Sequence, residues 1–442
     1  MGTARFVTAG CSRQTALPCR GRGGIGVDGT KSGLPLRKNR DFRLLWCGGL
    51  LANLGSRMWT LALPLLVLRE TGSPAEAGLV GSVAGITLVA AVIPAGAVAD
   101  AVERRRLMLG CELAGVAVSL TLAMSVLAGN PMLWLMLSAV AVVSVQGLVY
   151  LPAANALLRA VVPAGQVGPA LSRLQAREAG AAVAGPLLGG LLFGVSPAVP
   201  FAAAAGGLLV SFSCLLAIRA RSAPGRTERP LTPRHMVAGL RFVWRQRYVR
   251  TVLVVFGGGL NAAFGAVMLV ALTTGARTDP SGRSSGALVA LAAVGSLVGA
   301  LLAPRLRAFE HTRSAVTLCC WTAGVIVPLL ATVTAPLLIG ALLAVVLCVT
   351  AVGNVAFSTE LLQLTPEKLT GRVSSATNLI SMAAQPIGPL AGGLVADRFG
   401  HAIAFLVFGA VIVIGAVVLT ASLRHHTPGS TVGGQTGAES AA

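Results

Sequence analysis

Side chains that could bind a solute lie inside the long apolar segments of this sequence. Arg57 is about halfway along the first segment, with Asn53 one helical turn before it and Thr60 one turn after it. An ionisable group is costly within a membrane and by default indicates function. A cavity with this cation and amide would favour anionic or hydrogen-bonding solutes. The alternative is that Arg57 pairs with a carboxylate or extends its guanidinium to the membrane surface.

A second set of residues could carry a proton. Proton coupling needs a group that changes protonation in a partly desolvated place. The five histidines fall in predicted loops or tails, which leaves carboxyl groups. Glu112 is the deepest of these within a segment, although it could instead neutralise a nearby arginine. The proton-coupling candidates are Asp100, Glu112, Glu178 and Glu360.

Several other chemistries have no matching motif. The sequence contains no GxxxxGK[ST] phosphate loop, which disfavours an ATP-driven pump. It contains neither HExxH nor GxSxG, and its eight cysteines form no CxxC pair. We therefore expect no enzymatic activity, no cofactor and no metal site.

The composition shows which elements must position these residues. The 442-residue chain is 55% hydrophobic and 11% charged, whereas about a quarter of residues are charged in soluble proteins. Apolar runs of membrane-spanning length recur along it. The fold class predicted is an all-α polytopic membrane protein with twelve transmembrane helices. The predicted spans are 44–68, 78–99, 107–128, 132–156, 171–194, 199–218, 251–275, 284–304, 314–333, 335–358, 373–396 and 402–422.

The net charge of +20 follows from the loops rather than from a nucleic-acid-binding face. Most Lys and Arg residues fall in alternate loops and in the N-terminal tail. Positive loops resist translocation, so the rich side is cytoplasmic. We expect a multi-pass protein of a bacterial inner membrane with both termini cytoplasmic and no nucleic-acid partner.

An internal repeat divides the chain. The sequence GPLLGG at 185–190 recurs as GPLAGG at 388–393, which predicts two pseudo-symmetric six-helix bundles. In the polar stretch between them, Thr232-Pro233 starts a basic amphipathic helix whose apolar face includes Trp244, suited to an anionic cytoplasmic leaflet of the lipid bilayer. The predicted domains are a disordered tail (1–40), a six-helix bundle (41–218), a linker (219–250), a second bundle (251–424) and a disordered tail (425–442).

Three motifs carry a family resemblance. DFRLLW at 41–46, GLRF at 239–242 and the doubled GPxxGG resemble the major facilitator superfamily, in particular its exporters of the enterobactin-exporter and macrolide-efflux type. The likeness covers roughly residues 36–424. It implies that helices 1, 4, 7 and 10 line a central cavity. The predicted cavity residues are Asn53, Arg57, Gln146, Asn261 and Asn354.

The same resemblance implies a cytoplasmic gate in the loop between helices two and three. The family signature there is Gly-x-x-x-Asp-Arg-x-Gly-Arg-Arg. Ala101 replaces its first arginine and Glu103 its second glycine, and the alternative is that the arginines only enforce topology. The residues that match the signature are Gly96, Asp100, Arg104 and Arg105.

The GPLLGG sequence resembles the family's antiporter signature in helix five, which is associated with export in exchange for protons. Its motif residues are Gly185, Pro186, Gly189 and Gly190. The alternative is simple helix packing, since the second half repeats the motif.

The predicted function is proton-coupled efflux of a small organic molecule, such as an antibiotic, siderophore or other amphiphile, by alternating access. The expected partners are this small-molecule substrate and protons, and the protein is expected to be a monomer. Two alternatives remain on the same fold: a nutrient or metabolite importer, and a non-transporting receptor or scaffold.

Overall fold

The computed structural model describes residues 36–219, 246–306, 312–365 and 369–424, together with positions 241 and 244. Over these ranges the chain is α-helical and contains no β-strand. The helical spans are α1 (Arg40–Thr71), α2 (Pro74–Ala101), α3 (Arg104–Leu127), α4 (Leu133–Val161), α5 (Val167–Phe193), α6 (Val199–Ala217), α7 (Arg247–Val252, Leu253–Leu260 and Asn261–Thr278 in succession), α8 (Arg283–Leu302), α9 (Thr312–Leu329), α10 (Pro336–Leu364), α11 (Thr370–Ala384 and Ile387–Phe399) and α12 (His401–Arg424).

All of these spans except α5 are long and apolar enough to cross a membrane. The exception, α5, has 27 residues, but Arg173, Arg177 and Glu178 make its first half polar. The arrangement confirms the predicted all-α membrane fold, and over the described residues eleven of the twelve predicted spans meet this criterion.

The hairpin between α1 and α2 shows how local sequence sets the helix ends. Gly72 ends α1 with a φ of 69°, a left-handed conformation that glycine adopts without strain. Ser73 then caps α2 by accepting a hydrogen bond from the backbone N–H of Glu76, and Pro74 fills the first helical position. The connection is therefore short, and α1 and α2 are antiparallel.

Each half packs around its own core. In the first half, α1 lies against α6, where Gly55 faces Ala204 and the Trp59 ring packs edge-on to Phe201 at 5.3 Å between centroids. In the second half, the rings of Phe256 and Phe357 lie 6.3 Å apart. Small residues let the helix backbones approach closely, which stabilises packing in a membrane.

The two halves meet along two seams. One joins α5 to α8, where a Cβ at Gly190 would lie 2.8 Å from the Cα of Gly286. The other joins α2 to α11, where the Ser82 hydroxyl donates to the Pro386 carbonyl at 2.5 Å. We call the side of the molecule where α1 begins and α12 ends the terminal side. Both seams lie near the opposite ends of these helices. The halves are thus closed against each other opposite the terminal side.

Two spans predicted as continuous helices are irregular. The start of α7 contains a π-helical stretch at Leu253–Leu260, and α11 is interrupted at Gln385 and Pro386. Proline has no N–H for the helical ladder, so the interruption follows from the sequence. The helices α4 and α10 also continue about a turn and a half past their predicted ends at 156 and 358. In α4 the additional residues bury Leu157 and Leu158 in the core of the first half.

Three predicted regions fall wholly or mainly outside the described residues. They are the N-terminal tail up to residue 35, the C-terminal tail from 425, and most of the linker helix. Within the linker, positions 241 and 244 are helical, and α7 begins at Arg247.

Candidate functional site

A cavity of about 780 Å³ lies between the two halves, and we call it the central cavity. Its wall is formed by residues of both bundles, including Arg57 from α1, Met268 from α7 and Leu347 from α10. Most of its lining is apolar, and Arg57 is the one charged side chain among the lining residues that the structure describes. A cavity of this volume, with an apolar wall and few polar groups, is suited to a drug-sized ligand.

Arg57 reaches the cavity because α5 leaves room for it. A Cβ at Gly185 would collide with the Cβ of Arg57, so α1 and α5 approach closely at this level. The Arg57 side chain is exposed to the cavity. Over the described ranges it forms no ion pair with a carboxylate. Its charge is therefore available to a solute.

The predicted cavity residues separate into two further cavities. Asn53, Arg57 and Gln146 line a space of about 240 Å³ within the first half, which we call the first-half cavity. Asn261 and Asn354 line one of about 250 Å³ within the second half, the second-half cavity. Arg57 lines both the first-half and the central cavities. The structure thus places an arginine and two amides in the first half and two amides in the second half.

The second-half cavity has a neutral polar wall. The Asn261 amide donates a hydrogen bond to the Gly257 carbonyl at 3.0 Å, within the π-helical stretch of α7. Such stretches occur frequently at functional sites. The hydroxyl and amide residues of this wall are Asn261, Thr350, Asn354, Ser358, Thr365, Ser374, Thr377, Asn378 and Ser381.

Glu112 is fully buried beside the first-half cavity. One carboxyl oxygen, Oε1, accepts a hydrogen bond from the Ser211 hydroxyl at 2.6 Å. The other, Oε2, has no hydrogen-bond partner among the described residues. The Tyr150 hydroxyl lies next to the carboxyl group. We call Glu112, Tyr150 and Ser211 the Glu112 cluster.

Arg177 of α5 was not among the predicted site residues. It is 8% exposed, and its Nη1 donates to the carbonyls of Leu45 and Trp46 at 3.3 and 3.4 Å. Its Nη2 lies 3.9 Å from the Glu178 carboxylate. A Cβ at Gly49 would occupy the space of the guanidinium. The signal that could have identified Arg177 is its place inside the predicted span 171–194.

The loop signature provides one contact within the first half. Arg105 donates to the carbonyls of Leu215 and Leu216, at 3.0 and 2.7 Å, at the end of α6. A cation there satisfies terminal carbonyls and complements the helix dipole. Glu103, which departs from the family signature, pairs with Arg106 at 3.1 Å. Arg105 therefore joins α3 to α6.

The remaining signature residues are placed by their helices. Gly96 and Asp100 lie in the last turns of α2, and Arg104 begins α3. The gate role of these residues stays a prediction.

The helix-five motif packs on two sides. Gly185 and Gly189 face α1, next to Arg57 and Met58, while Gly190 faces α8. Pro186 lines the central cavity. The motif therefore joins α1 to α8 through α5.

The repeated motif in α11 packs in the same way. Gly388 and Gly392 face Ala262 and Ala266 of α7, while Gly393 faces α2 at Pro74. In both halves, two glycines serve the packing within the bundle and one serves the seam between the bundles.

The two remaining proton-coupling candidates lie on α10 and α5. Glu360 lies in α10, and Glu178 lies near Arg177.

His401 was expected in a loop, but it begins α12, and its Nε2 lies 3.0 Å from the Thr273 hydroxyl. No group of three or more His, Cys, Asp or Glu side chains that could hold a metal ion occurs over the described ranges.

The sequence matches the family model described as Major Facilitator Superfamily over residues 45–386. The chain belongs to the major facilitator superfamily. This match, which extends from the first helix into α11, confirms the resemblance drawn from the sequence motifs. The protein is a multi-pass membrane transporter, and no catalytic family is indicated.

Curated relatives of this superfamily member match over nearly its whole length. It is 28% identical over 414 residues to the multidrug resistance protein MdtG of Dickeya zeae, covering 89% of this chain and 97% of MdtG. It is 25% identical over 394 residues to the multidrug efflux pump Tap of Mycolicibacterium fortuitum, covering 86% and 95%.

Solved structures of transporters share the fold. The nucleoside transporter NupG superposes with a TM-score of 0.70 at 13% identity, covering 87% of this chain and 100% of NupG. A bacterial homologue of the iron transporter ferroportin, in an inward-facing state, gives 0.66 at 19% identity, covering 87% and 98%. At these identities the likeness concerns the fold alone.

Proposed function

We propose that this superfamily member exports small amphiphilic organic molecules in exchange for protons by alternating access. The observation that carries the proposal is the central cavity, which has apolar walls from both halves and the charged side chain of Arg57. An amphiphile would place its apolar body on this wall and an anionic or hydrogen-bond-accepting group at the guanidinium. The names of the relatives MdtG and Tap support efflux of such compounds.

The position of the seams supports alternating access. Glycine and proline contacts close the α5–α8 and α2–α11 seams opposite the terminal side. If the terminal side is cytoplasmic, as the distribution of Lys and Arg indicates, this is a state that can accept a solute from the cytoplasm. Opening the seams and closing the terminal side would then release the solute outside.

The second-half cavity supplies a different kind of contact. Its hydroxyl and amide groups can donate and accept hydrogen bonds but carry no charge. A solute that spans from Arg57 toward α7 and α10 would meet a cation on one side and neutral polar groups on the other. This pattern favours an acidic or neutral amphiphile over a polyvalent cation.

The test is proton flux in proteoliposomes that contain the purified full-length chain and experience an imposed pH gradient. The probes are a panel of amphiphilic antibiotics, siderophores and sugars. Proton flux evoked by an amphiphile, with transport of that compound in the opposite direction, is the expected result. Sugar uptake in the direction of the protons would indicate an importer. Proteoliposomes of verified orientation that show no flux with any compound would overturn the proposal.

A further inference from the structure

The Glu112 cluster is distinct from the cation that faces the central cavity. We propose that Glu112 is the proton-binding residue of the transport cycle, and that Arg177 is the positioning residue that links its charge to α5. This inference rests on the proposed proton-coupled export. It is carried by a fully buried carboxyl with an unpartnered oxygen and by a buried guanidinium held through carbonyl groups.

The partners of Glu112 suit both protonation states. Hydroxyl groups donate to a carboxylate and also accept from a carboxylic acid, because the hydroxyl hydrogen can rotate. Ser211 already bonds Oε1, and Oε2 has no partner among the residues described. A proton on Oε2 would therefore leave the existing hydrogen bond intact. This is the arrangement needed for a group that gains and loses a proton without local unfolding.

The surroundings of Glu112 contain few other charges. Around the first-half cavity, the charged groups described are the cations of Arg57 and Arg177 and the carboxylate of Glu178. The titratable groups that line the first-half cavity, or that interact electrostatically with Glu112 or with Cys214 beside it, are Cys47 and Arg57 on α1, Cys111 on α3, Tyr150 on α4, Arg177 and Glu178 on α5, and Cys214 on α6.

Arg177 can respond to the charge of Glu112 through its neighbours. In the structure its guanidinium is held by the carbonyls of Leu45 and Trp46, which belong to α1. Tyr150 interacts electrostatically with both Glu112 and Arg177, so an ionised Glu112 would favour a Tyr150 hydroxyl that donates to the carboxylate and presents its oxygen to the guanidinium. Proton loss would thus weaken the hold of Arg177 on α1 and draw it toward Tyr150 of α4.

A change in Arg177 can reach the seam because α5 is the shared element. The same helix carries Arg177 toward α1 and Gly190 against Gly286 of α8. A shift of α5 relative to α1 therefore alters the contact that closes the side opposite the terminal side. Protonation inside the first half is thereby coupled to opening between the halves.

Substrate and proton occupy neighbouring but separate places in this scheme. Ser56, Arg57 and Trp59 line both the central and the first-half cavities, whereas Glu112 lines only the first-half cavity. Trp59 also donates to the Ser119 hydroxyl at 3.1 Å on the same helix as Glu112. A solute at Arg57 can therefore influence the Glu112 cluster without touching it.

The first test is infrared difference spectroscopy of the full-length protein in nanodiscs, titrated with pH and without any added compound. We expect a protonated-carboxyl band that titrates in wild type, is lost in Glu112→Gln and is retained in Glu70→Gln, whose carboxyl is exposed at the end of α1. Retention of the full band in Glu112→Gln would overturn the inference.

A second pair of variants covers the case in which Glu112→Gln fails to fold. Ser211→Ala removes the hydroxyl bonded to Oε1, so we expect the band to move to higher frequency. Ser213→Ala removes an exposed hydroxyl on the same helix that bonds the Leu209 carbonyl, so the band should not move. An unchanged band in Ser211→Ala would also refute the assignment.

Arg177 is tested through the pH profile of the α5–α8 seam. Hydrogen exchange near Gly190 and Gly286 should depend on pH in wild type, lose that dependence in Arg177→Gln, and recover part of it in Arg177→Lys. The control is Arg173→Gln, an exposed position on the same helix. A pH dependence that persists in Arg177→Gln would remove Arg177 from the coupling.

The outcomes separate this inference from the export proposal. If the infrared band of Glu112 titrates but the protein shows no proton flux with any compound, the export proposal is refuted and Glu112 is still a proton-binding residue. If wild type and Glu112→Gln show equal proton flux, export is supported but Glu112 is not its proton-binding residue, because coupling then occurs through another residue.

Discussion

At the scale of single residues, the surroundings distinguish three ionisable groups within the spans. Arg57 is exposed to a cavity and unpaired over the described ranges, which fits a role in ligand binding. Arg177 is buried and held by backbone carbonyls, and Glu112 is fully buried with one bonded oxygen. Sequence position alone does not separate these roles, since all three lie within predicted helices.

Replacing Arg57 should change ligand preference. Arg57→Ala removes the cation of the central cavity without creating a buried void, because the side chain is exposed there. A hydrogen bond to a charged group contributes about 1.5–3 kcal/mol, so we expect an anionic amphiphile to bind roughly ten- to hundredfold more weakly. A neutral analogue should bind nearly as before.

The measurement is equilibrium binding of both compounds to purified protein, and Arg69→Ala at the exposed end of α1 is the control. Equal losses for the anionic and the neutral compound would contradict a specific role for the Arg57 charge.

At the scale of elements, the structure explains why the same motif appears in α5 and α11. Each helix must approach a neighbour in its own bundle and a helix of the other bundle. Glycines on two sides allow both approaches, as at Gly189 against Met58 and Gly190 against Gly286. The motif therefore has a packing role in both halves, and its association with export through α5 remains a proposal.

A methyl group at Gly190 should open the α5–α8 seam. Its Cβ would lie 2.6 Å from the Gly282 carbonyl oxygen, which is too close for either backbone to remain in place. We expect Gly190→Ala to increase hydrogen exchange at residues 282–286 and to reduce transport at least tenfold. The matched control is Gly180→Ala on the same helix, where a Cβ would meet nothing within 4 Å. Equal effects of the two substitutions would argue against the seam.

The turn between α7 and α8 is set by Asp279. Its carboxylate accepts from the backbone N–H groups of Ser281 and Ser284, each at 3.0 Å. A hydrogen bond from the Ser281 side chain is the main cause that holds the pKa of Asp279 below its usual value. The folded state therefore gains stability above the unfolded pKa of about 3.9, and this gain is lost as pH falls through the lower folded pKa.

We accordingly expect Asp279→Ala to lower the thermal unfolding temperature by a similar amount at pH 7 and at pH 5, since Asp279 is ionised at both. The check is thermal unfolding of wild type, Asp279→Ala and Asp279→Asn, which retains one acceptor oxygen. A destabilisation that disappears at pH 5 would show that the carboxylate is not the group responsible.

At the scale of the whole molecule, the two bundles meet along two equivalent seams opposite the terminal side. The cavities lie on the terminal side of these seams. The α2–α11 seam matches the α5–α8 seam, because Gly393 approaches Pro74 and Ala75 as Gly190 approaches Gly282 and Gly286. Closure of this side is thus shared between the halves. Neither seam alone accounts for it.

Because the two seams are equivalent, substitutions in either seam should have similar effects on hydrogen exchange and on transport. Gly393→Ala should increase hydrogen exchange at residues 74–78 and reduce transport to a similar extent as Gly190→Ala. Gly371→Ala in the first segment of α11 serves as the control, since a Cβ there meets nothing within 4 Å. Normal transport in Gly393→Ala would indicate that only the α5–α8 seam controls access.

The class of protein, its helices and its family are predictable from local sequence patterns. Hydropathy over 18 or more residues depends only on composition within the segment, and the bilayer requires every backbone polar group within it to be satisfied by helix formation. The repeated GPxxGG and the charge distribution are likewise local patterns. For these reasons the helices were predictable, with errors confined to helix ends and to the irregular α7 and α11, and only α5 is too polar to qualify as a span by hydropathy.

Which of these residues come into contact depends on how the helices pack. Arg57, Asn261 and Asn354 were expected in one cavity, but Asn261 and Asn354 line the second-half cavity and Arg57 does not. The reason is their height along the helices, since Asn261 and Asn354 lie two helical turns nearer the terminal side than Met268 and Leu347, which line the central cavity. The pairing of Glu112 with Ser211 joins positions 99 residues apart, and no local pattern encodes such a contact. Helix rotation and packing fix these neighbours, and both depend on the fit of side chains between helices.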